Sequence, residues 1–159
     1  MPNYRRLRAP GSTYFFTVNL AERGSTVLCD RIDQLREAYR VTAAEHPIHC
    51  EAMVVLPDHI HAVWTLPAGD ADFSRRWQKL KARFTFATGL RGPQSRSMVV
   101  KREAGLWQRR FWEHMIRDEA ERARAVAHCL SDPVRHGLVE RAEDWPFSTI
   151  HRDLRAKVG

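Results

Sequence analysis

Apolar and polar residues recur with two different periods along the chain, and the order of these stretches predicts a mixed fold. Residues 14–20 are aromatic and β-branched and follow a Pro-Gly-Ser breaker, which predicts a strand. In residues 30–45 the apolar positions have helical spacing, and Pro47 closes the segment. Residues 49–56 and 59–66 predict a hairpin across Pro57-Asp58, and residues 73–88 predict a helix that ends at Gly89.

The second half of the chain predicts a loop, a strand and a helix. Residues 90–105 contain Gly92, Pro93 and several polar side chains, which favours a loop. Residues 107–117 alternate in the manner of a strand, and residues 118–130 predict a helix that ends before Pro133. The order β-α-β-β-α-β predicts an α+β fold of the ferredoxin-like kind, with an antiparallel sheet of about four strands and helices packed on one face.

The length of the chain favours a single domain. With 159 residues, 43% of them hydrophobic, the chain can bury one core, and no linker rich in Gly or Ser divides it. We therefore predict one domain over residues 1–159, with a basic N-terminal arm in residues 1–12 and a C-terminal tail in residues 140–159.

The charge of the chain favours a polyanionic partner. Its 26 Lys and Arg residues exceed its 19 Asp and Glu residues, so the formal net charge is +7. Most of these cations are arginines, which suit bidentate contacts to phosphate and stacking on bases, although an arginine bias can also reflect genomic base composition. Nucleic acid is the partner that this balance predicts.

Cysteine use and hydropathy predict a cytoplasmic location. Cys29, Cys50 and Cys129 are scattered without a paired spacing, which indicates neither a disulfide framework nor a thiolate zinc site. The basic N-terminus runs into Pro10 and Gly11 without an apolar signal segment, and no apolar stretch approaches the roughly 20 residues that a membrane span needs. Secretion and membrane insertion are therefore not expected.

Two histidines one residue apart are the strongest chemical signal in the chain. His59 and His61 follow the Pro57-Asp58 turn at the start of a predicted strand, where positions i and i+2 project from one face. Both imidazoles can therefore bind one metal ion. The alternative is two strand histidines that point at solvent or at hydrogen-bond partners.

Four further stretches, together with this motif, resemble one family in the same order along the chain. The segment Val-Leu-Pro-Asp-His-Ile-His at residues 55–61 is similar to the His-hydrophobic-His signature of the HUH nucleases. Residues 106–114, 116–119, 132–139 and 144–149 resemble blocks of the REP-associated tyrosine transposases. The resemblance extends over nearly the whole chain.

This resemblance implies a ferredoxin-like domain that binds single-stranded or hairpin DNA and cuts and rejoins it with a divalent metal. His59 and His61 would hold Mg²⁺ or Mn²⁺ against the scissile phosphate. Imidazole is not a hard ligand, so such a site prefers Mn²⁺ and could be poisoned by tighter-binding zinc. In the family a third, polar ligand lies four residues after the nucleophile, one helical turn along.

The chain departs from the family pattern at the nucleophile. Alignment on residues 133–137 places His128 where the family carries its tyrosine and Asp132 where it usually carries Asn. The only tyrosines are Tyr4, Tyr14 and Tyr39, and none matches the motif. Either His128 attacks the phosphate itself, or strand transfer is lost while DNA binding is retained, or His128 adds a metal ligand. Asp132 is either a third ligand, harder than an amide, or a turn residue before Pro133.

Basic residues in three segments are candidates for DNA contacts. One group lies on the predicted helix of residues 73–88, one follows Trp107, and one lies in the N-terminal arm; each group could equally be a solvated surface. His136, beside Gly137, is expected to be structural. The DNA-binding candidates are Arg75, Arg76, Lys79, Arg83, Arg109, Arg110, Arg5 and Arg6.

Three functions remain open at the level of the sequence. The first is metal-assisted transesterification of DNA with residue 128 as the nucleophile. The second is a module that binds hairpin DNA without cutting it, and the third is a metal-dependent nuclease in which water attacks. The pattern does not decide between a monomer and a homodimer.

Overall fold

Four antiparallel strands form an open sheet in the computed structural model, which describes residues 8–158, with Val158 described in its backbone alone. The strands are β1 Thr13–Asn19, β2 His49–Val55, β3 His59–Thr65 and β4 Trp112–Met115. Their spatial order is β2-β3-β1-β4, and each neighbouring pair is antiparallel. This order confirms the predicted α+β sheet and places β3 and β1 at its centre.

Six α-helices connect and follow these strands within residues 8–158. They are α1 Val27–Asp30, α2 Ile32–Glu45, α3 Phe73–Thr88, α4 Arg96–Val100, α5 Glu119–Arg135 and α6 Ile150–Val158. Helix α3 has its predicted bounds because Asp72 caps its first turn through its side chain and Gly89 ends it in a left-handed conformation. Among the described residues, every helix is too short or too polar to cross a bilayer.

The main core lies between the sheet and helices α2 and α3. Alternate residues of the central strands point to this side, among them Tyr14 and Phe16 of β1 and Trp64 of β3, all fully buried. Trp64 stacks on Trp77 of α3 with ring centroids 4.2 Å apart and an interplanar angle of 10°. The aromatic side chains that predicted these elements therefore fill one face of the sheet.

Helix α5 packs on the opposite face, so the prediction that helices cover one face of the sheet is wrong. Phe15, Val54 and Val63 project to this side and form a second apolar cluster with Cys129 of α5. The central strands carry apolar residues on both faces of the sheet. One apolar face would therefore be exposed to water unless a further element covered it. Helices α2 and α3 cover one face, and the side of α5 that carries Cys129 covers the other.

Pro133 does not end helix α5, contrary to the sequence prediction. The helix continues to Arg135, with Pro133 buried in its last turn. Propensity disfavours this position because proline donates no hydrogen bond. The contacts of the neighbouring Asp132 with residues of β3 hold the turn in place, so tertiary structure overrides the local preference.

Three other segments differ from the predicted elements. Residues 96–100 form the short helix α4 within the expected loop, and only residues 112–115 of the predicted strand 107–117 join the sheet. The predicted C-terminal tail contains α6, and its preceding residues line the free edge of β2. There Phe147 accepts a hydrogen bond from Val55 and Thr149 donates one to Met53, backbone to backbone. Neither pairing has a local pattern that would predict it.

Candidate metal and nucleic-acid site

His59 and His61 point to the α5 side of the sheet, as their spacing predicts. The intervening Ile60 points into the main core and is fully buried. His59 and His61 rings lie 4.9 Å apart, centroid to centroid. Two imidazoles therefore occupy a surface next to α5.

Asp132 of α5 meets both histidines at a single carboxylate oxygen. Its Oδ2 lies 3.1 Å from His59 Nε2 and 3.0 Å from His61 Nε2. A third imidazole reaches the same oxygen, since His136 Nε2 is 3.3 Å from it. The other oxygen, Oδ1, accepts a hydrogen bond of 2.7 Å from Arg135. Three imidazoles and one buried carboxylate thus converge at one point.

The outer nitrogens of the two strand histidines have their own oxygen partners. His59 Nδ1 lies 2.7 Å from Asp58 Oδ1, and the other oxygen of Asp58 accepts a hydrogen bond from the Gly24 amide. His61 Nδ1 lies 2.9 Å from Thr17 Oγ1. Such partners fix the orientation of metal-binding imidazoles and leave Nε2 for the ion.

The electrostatics of the cluster keep its carboxylates ionised. Burial opposes the charge of Asp132, but hydrogen bonds from His59 and His61 outweigh it and hold the pKa of Asp132 well below its ordinary value. Burial likewise opposes the charge of His59, yet hydrogen bonds to Asp132 and Asp58 raise its pKa overall. The cluster therefore holds the ionised carboxylates of Asp132 and Asp58 beside the imidazoles that face them.

The donor set fits a divalent metal better than it fits hydrogen bonding alone. A carboxylate oxygen has two lone pairs, which cannot accept three well-formed hydrogen bonds from imidazole. Neighbouring donors around an ion with bonds of about 2.1 Å lie about 3.0 Å apart in an octahedral site and about 3.4 Å apart in a tetrahedral one. The three histidine nitrogens lie 3.1, 3.0 and 3.3 Å from Asp132 Oδ2, which agrees with this range. Ligand atoms of His59, Asp132 and His136 all lie within 4.8 Å of one another. These residues form a possible His/Asp metal site.

His128 lies on the rim of this cluster, one helical turn before Asp132. Its exposed ring is 6.1 Å from that of His61 and 5.9 Å from that of Phe15. Arg135 donates a hydrogen bond of 2.6 Å to the His128 carbonyl. Burial, aided by the charges of Arg135 and His61, lowers the pKa of His128.

The two tyrosines in the described part of the chain are far from these residues in the fold. Tyr14 is buried in the main core, where its hydroxyl bonds the backbone of Ala9. Tyr39 packs against the same core from α2. Both are therefore on the side of the sheet away from His59, and Tyr4 lies outside the described residues.

Arg76, predicted as a DNA contact, is a structural residue. Its side chain is 1% exposed, and its guanidinium donates to both oxygens of Asp70, at 3.0 and 2.8 Å. It also donates to the carbonyls of His46, Pro47 and Asp72. Helical charge patterning cannot distinguish such a buried arginine from an exposed one, so the prediction for Arg76 is wrong.

The other basic candidates on α3 lie across the sheet from the histidines. Arg83 and Lys79 are next to Glu45 of α2, with nitrogen to oxygen distances of 2.7 and 3.7 Å, and Arg75 is 3.7 Å from Asp72. The structure does not bring these three residues to the candidate metal site.

The remaining basic candidates precede β4 or lie in the arm. Arg109 is bound to Glu103 at 3.0 Å, and Arg110 is exposed. Arg5 and Arg6 lie outside the described residues. Their predicted DNA contacts remain predictions.

Sequence reasoning missed three contributors to the site and the cleft beside it. Thr17 and Asp58 hold the outer nitrogens of the histidines, and His136 was expected to be structural. Asp58 adjoins His59 in sequence, and His136 follows Asp132 by four residues, which places both on one face of a helix. A cleft of about 640 Å³ beside the histidines is lined by residues that include Asn19, Arg23, Ser25, Thr26, Gln108 and Leu138.

Comparisons with known proteins agree with the sequence resemblance. The chain is 44% identical over 154 residues to the REP-associated tyrosine transposase of Escherichia coli K12. The aligned region covers 97% of this chain and 86% of that protein. A Haemophilus influenzae protein named for the same family is 41% identical over 159 residues, covering 99% and 90%. No family model matches the chain.

Solved structures give the same result at the level of the fold. A REP-associated tyrosine transposase bound to a REP hairpin superposes with a TM-score of 0.87 at 43% identity, covering 98% of this chain and 86% of that one. A candidate transposase from Deinococcus radiodurans, 18% identical, has a TM-score of 0.50 over 78% of this chain and 92% of its own, and shares the fold alone.

The ferredoxin-like sheet with a His-hydrophobic-His pair facing a polar residue of a helix defines a transposase of the HUH class. Within that class, the identity over nearly the whole chain decides the family. The chain belongs to the REP-associated tyrosine transposases.

Proposed function

We propose that this chain binds hairpin or single-stranded DNA on the α5 side of its sheet and holds Mg²⁺ or Mn²⁺ with His59, His61 and Asp132. We further propose that the covalent strand transfer of the family is lost, because no tyrosine stands at position 128. The observation that carries this proposal is that His59 and His61 both face one carboxylate oxygen of Asp132, and that His128 lies at the edge of this cluster.

The net charge of the chain and one exposed aromatic side chain on the α5 side favour binding of an unpaired DNA strand. The chain carries a net charge of +7, and a closely similar family member has been solved with a REP hairpin. Trp112 of the edge strand β4 is 53% exposed, and its ring meets Phe15 edge-on, with centroids 5.6 Å apart. Phe15 in turn contacts His61. Trp112 is therefore suited to stack on an unpaired base near the metal site.

A bound divalent cation would withdraw charge from the phosphate that it contacts. The protein residues supply orientation and charge. Asp58 and Thr17 hold the outer nitrogens of the histidines, and Arg135 holds Asp132 in position from its second oxygen. These contacts organise the site before any DNA binds, which reduces the entropy lost on binding.

A second candidate function has one observation in its favour. His128 is exposed beside His61, and its lowered pKa favours the neutral imidazole that a nucleophile requires. Its ring nitrogen would form a bond to phosphorus while the bond from phosphorus to the 3′ oxygen breaks. The departing 3′ oxygen would take a proton from solvent, leaving the 5′ phosphoryl group on the protein.

A labelled hairpin tests these functions together. The substrate carries its label at the 3′ end, so that attack by residue 128 transfers the label to the protein. With Mn²⁺ present, we expect the unaltered protein to retard the hairpin without cleaving it. We expect His128→Tyr to form a labelled adduct, and His59→Ala combined with His128→Tyr to form none.

Other results would overturn the proposal in identifiable ways. An adduct on the unaltered protein would establish attack by His128, and a P–N link would be distinguished from a tyrosine ester by its lability in acid. Free cleaved ends without an adduct would establish a nuclease that uses water. Failure to retard the hairpin at low salt would overturn the proposed DNA binding itself.

A further inference from the structure

His136 occupies a position that the requirements of the fold do not explain. It is the residue at which α5 ends, followed by Gly137 in a left-handed conformation with φ of 68°. The side chain of His136 is 52% exposed, yet it turns inward to place Nε2 3.3 Å from Asp132 Oδ2. Its ring also lies 5.1 Å from that of His59. An exposed imidazole is thus aimed at the candidate metal site.

A simple ion pair between helix neighbours accounts for only part of this arrangement. Residues four apart on a helix often pair, and such pairs contribute little to stability. Here, however, the same oxygen already faces the Nε2 atoms of His59 and His61, at 3.1 and 3.0 Å. A third imidazole adds little as a hydrogen-bond donor to a filled acceptor, but it adds a fourth donor atom to an ion.

We infer that His136 is a fourth protein ligand, which changes the metal preference of this site. The inference rests on the metal site proposed above. The ligand atoms of His59, Asp132 and His136 all lie within 4.8 Å of one another, and His61 Nε2 lies 3.0 Å from the same Asp132 oxygen. Together these residues supply three imidazole nitrogens and one carboxylate oxygen. Such a set suits tetrahedral Zn²⁺ or Co²⁺, whereas Mg²⁺ favours six oxygen ligands and retains water. The site therefore favours Zn²⁺ or Co²⁺, and of the two ions proposed above it favours Mn²⁺ over Mg²⁺.

Metal titration of the intact protein tests this inference without any measurement of activity. Zn²⁺ binding is followed by competition with a chromophoric chelator, and Co²⁺ binding by visible absorption, which is intense for four-coordinate ions and weak for six-coordinate ones. We expect one ion per chain, not displaced by excess Mg²⁺. We expect His136→Ala to weaken Zn²⁺ binding by at least about tenfold and to reduce the Co²⁺ absorption.

Two variants separate a ligand from a structural residue. His136→Gln keeps the size of the side chain and has no imidazole, so it should lose affinity as His136→Ala does. His49→Ala is the matched control. His49 of β2 is also an exposed histidine beside a carboxylate, with its Nε2 3.2 Å from Glu51 Oε1. This change should leave metal binding unchanged. Thermal unfolding in the presence of chelator should be similar for all three variants.

The outcomes are distinct for the inference and for the site on which it depends. If His136→Ala and His136→Gln bind Zn²⁺ as the unaltered protein does while His59→Ala does not, the inference is overturned and the proposed metal site stands. If His59→Ala also binds normally, the proposed metal site fails as well. If the His136 variants are less stable in the presence of chelator but bind metal with unchanged affinity, His136 acts only through its ion pair with Asp132 at the helix end, and the inference is overturned.

Discussion

The two faces of the sheet are built from the same strands and serve opposite purposes. Along β1 and β3, Tyr14, Phe16 and Trp64 point to α2 and α3 and are buried in an aromatic core. The residues between them, such as Thr17 and His61, point to α5 and form the polar cluster. One face has nearly all its side chains in apolar contact, while the other leaves a cleft beside its histidines.

This difference shows how a stable scaffold and a reactive surface can share one strand. Because side chains alternate across a sheet, apolar residues on one side do not constrain the chemistry on the other. The core face fixes the positions of the backbone atoms that carry His59 and His61. The helix on the second face then needs to supply only Asp132 and a limited apolar stripe.

The largest expected effect is on the core face. Trp77→Ala removes the ring that stacks on Trp64 and should lower the free energy of unfolding by about 3–5 kcal/mol. Urea unfolding followed by circular dichroism measures this change. Trp77→Phe should lose less, since the indole N–H of Trp77 has no hydrogen-bond partner among the described residues. A small loss for Trp77→Ala would show that the core face is not the scaffold.

The next largest expected effect is the loss of stability on replacing Arg76. This residue tests the comparison of the two faces because it is a buried cation on the core side. Arg76→Met leaves Asp70 and the carbonyls of His46 and Pro47 without their donor, and should cost about 2–3 kcal/mol of stability. Arg75→Met, at an exposed neighbouring position, is the control and should cost little. Weaker DNA binding by Arg76→Met at unchanged stability would contradict the structural assignment.

Trp112 tests the other face. Trp112→Ala should weaken binding of a single-stranded oligonucleotide by about 1–3 kcal/mol, or about 5- to 150-fold, while stability changes little. Fluorescence anisotropy of a labelled strand measures the affinity. Phe86→Ala is the matched control, since Phe86 is an exposed aromatic residue on α3. Equal effects of the two changes would mean that the DNA does not prefer the α5 side.

The smallest expected effect is the acid sensitivity of the Asp70 and Arg76 pair. Hydrogen bonds from Arg76 lower the pKa of Asp70 from 3.8 to about 2. Because the carboxyl has a lower pKa in the folded state than in the unfolded state, it stabilises the folded protein at pH values above its ordinary pKa. This contribution is lost as the pH falls from about 4 towards 2. Asp70→Asn should therefore narrow the stability difference between pH 5 and pH 2.5, measured by thermal unfolding. An unchanged difference would show that the pair is not coupled to folding.

The sequence predicted the central parts of the fold and of the candidate site. Helix α3 was predicted with its bounds, and its end was clear because Gly89 is a strong local end signal; the structure adds a side-chain cap from Asp72 at its start. His59 and His61 were predicted to share a face because a strand has a period of two. Helix α5 was predicted to end before Pro133 because proline is disfavoured inside a helix. The structure continues the helix to Arg135, and Asp132 in this turn contacts His59 and His61 of β3.

The candidate site was predicted less completely than the fold. Asp132 was predicted as either a metal ligand or a turn residue, and His136 was predicted to be structural. Their four-residue spacing places both on one helix face, but no pattern near either residue reveals that this face meets His59 and His61. Arg76 was grouped with the exposed cations of α3, because charge spacing on a helix does not report depth. Each of these outcomes depends on residues about 30 or more positions away.

The sequence by itself determined the family, the order of the main strands and helices, and a pair of imidazoles on one side of a strand, because these depend on identity and short periods. Only the tertiary structure decided which side of the sheet α5 covers, and with it that Asp132 and His136 meet the strand histidines. The physical reason is that burial and convergence are properties of packing between distant segments. No local pattern along the chain records them.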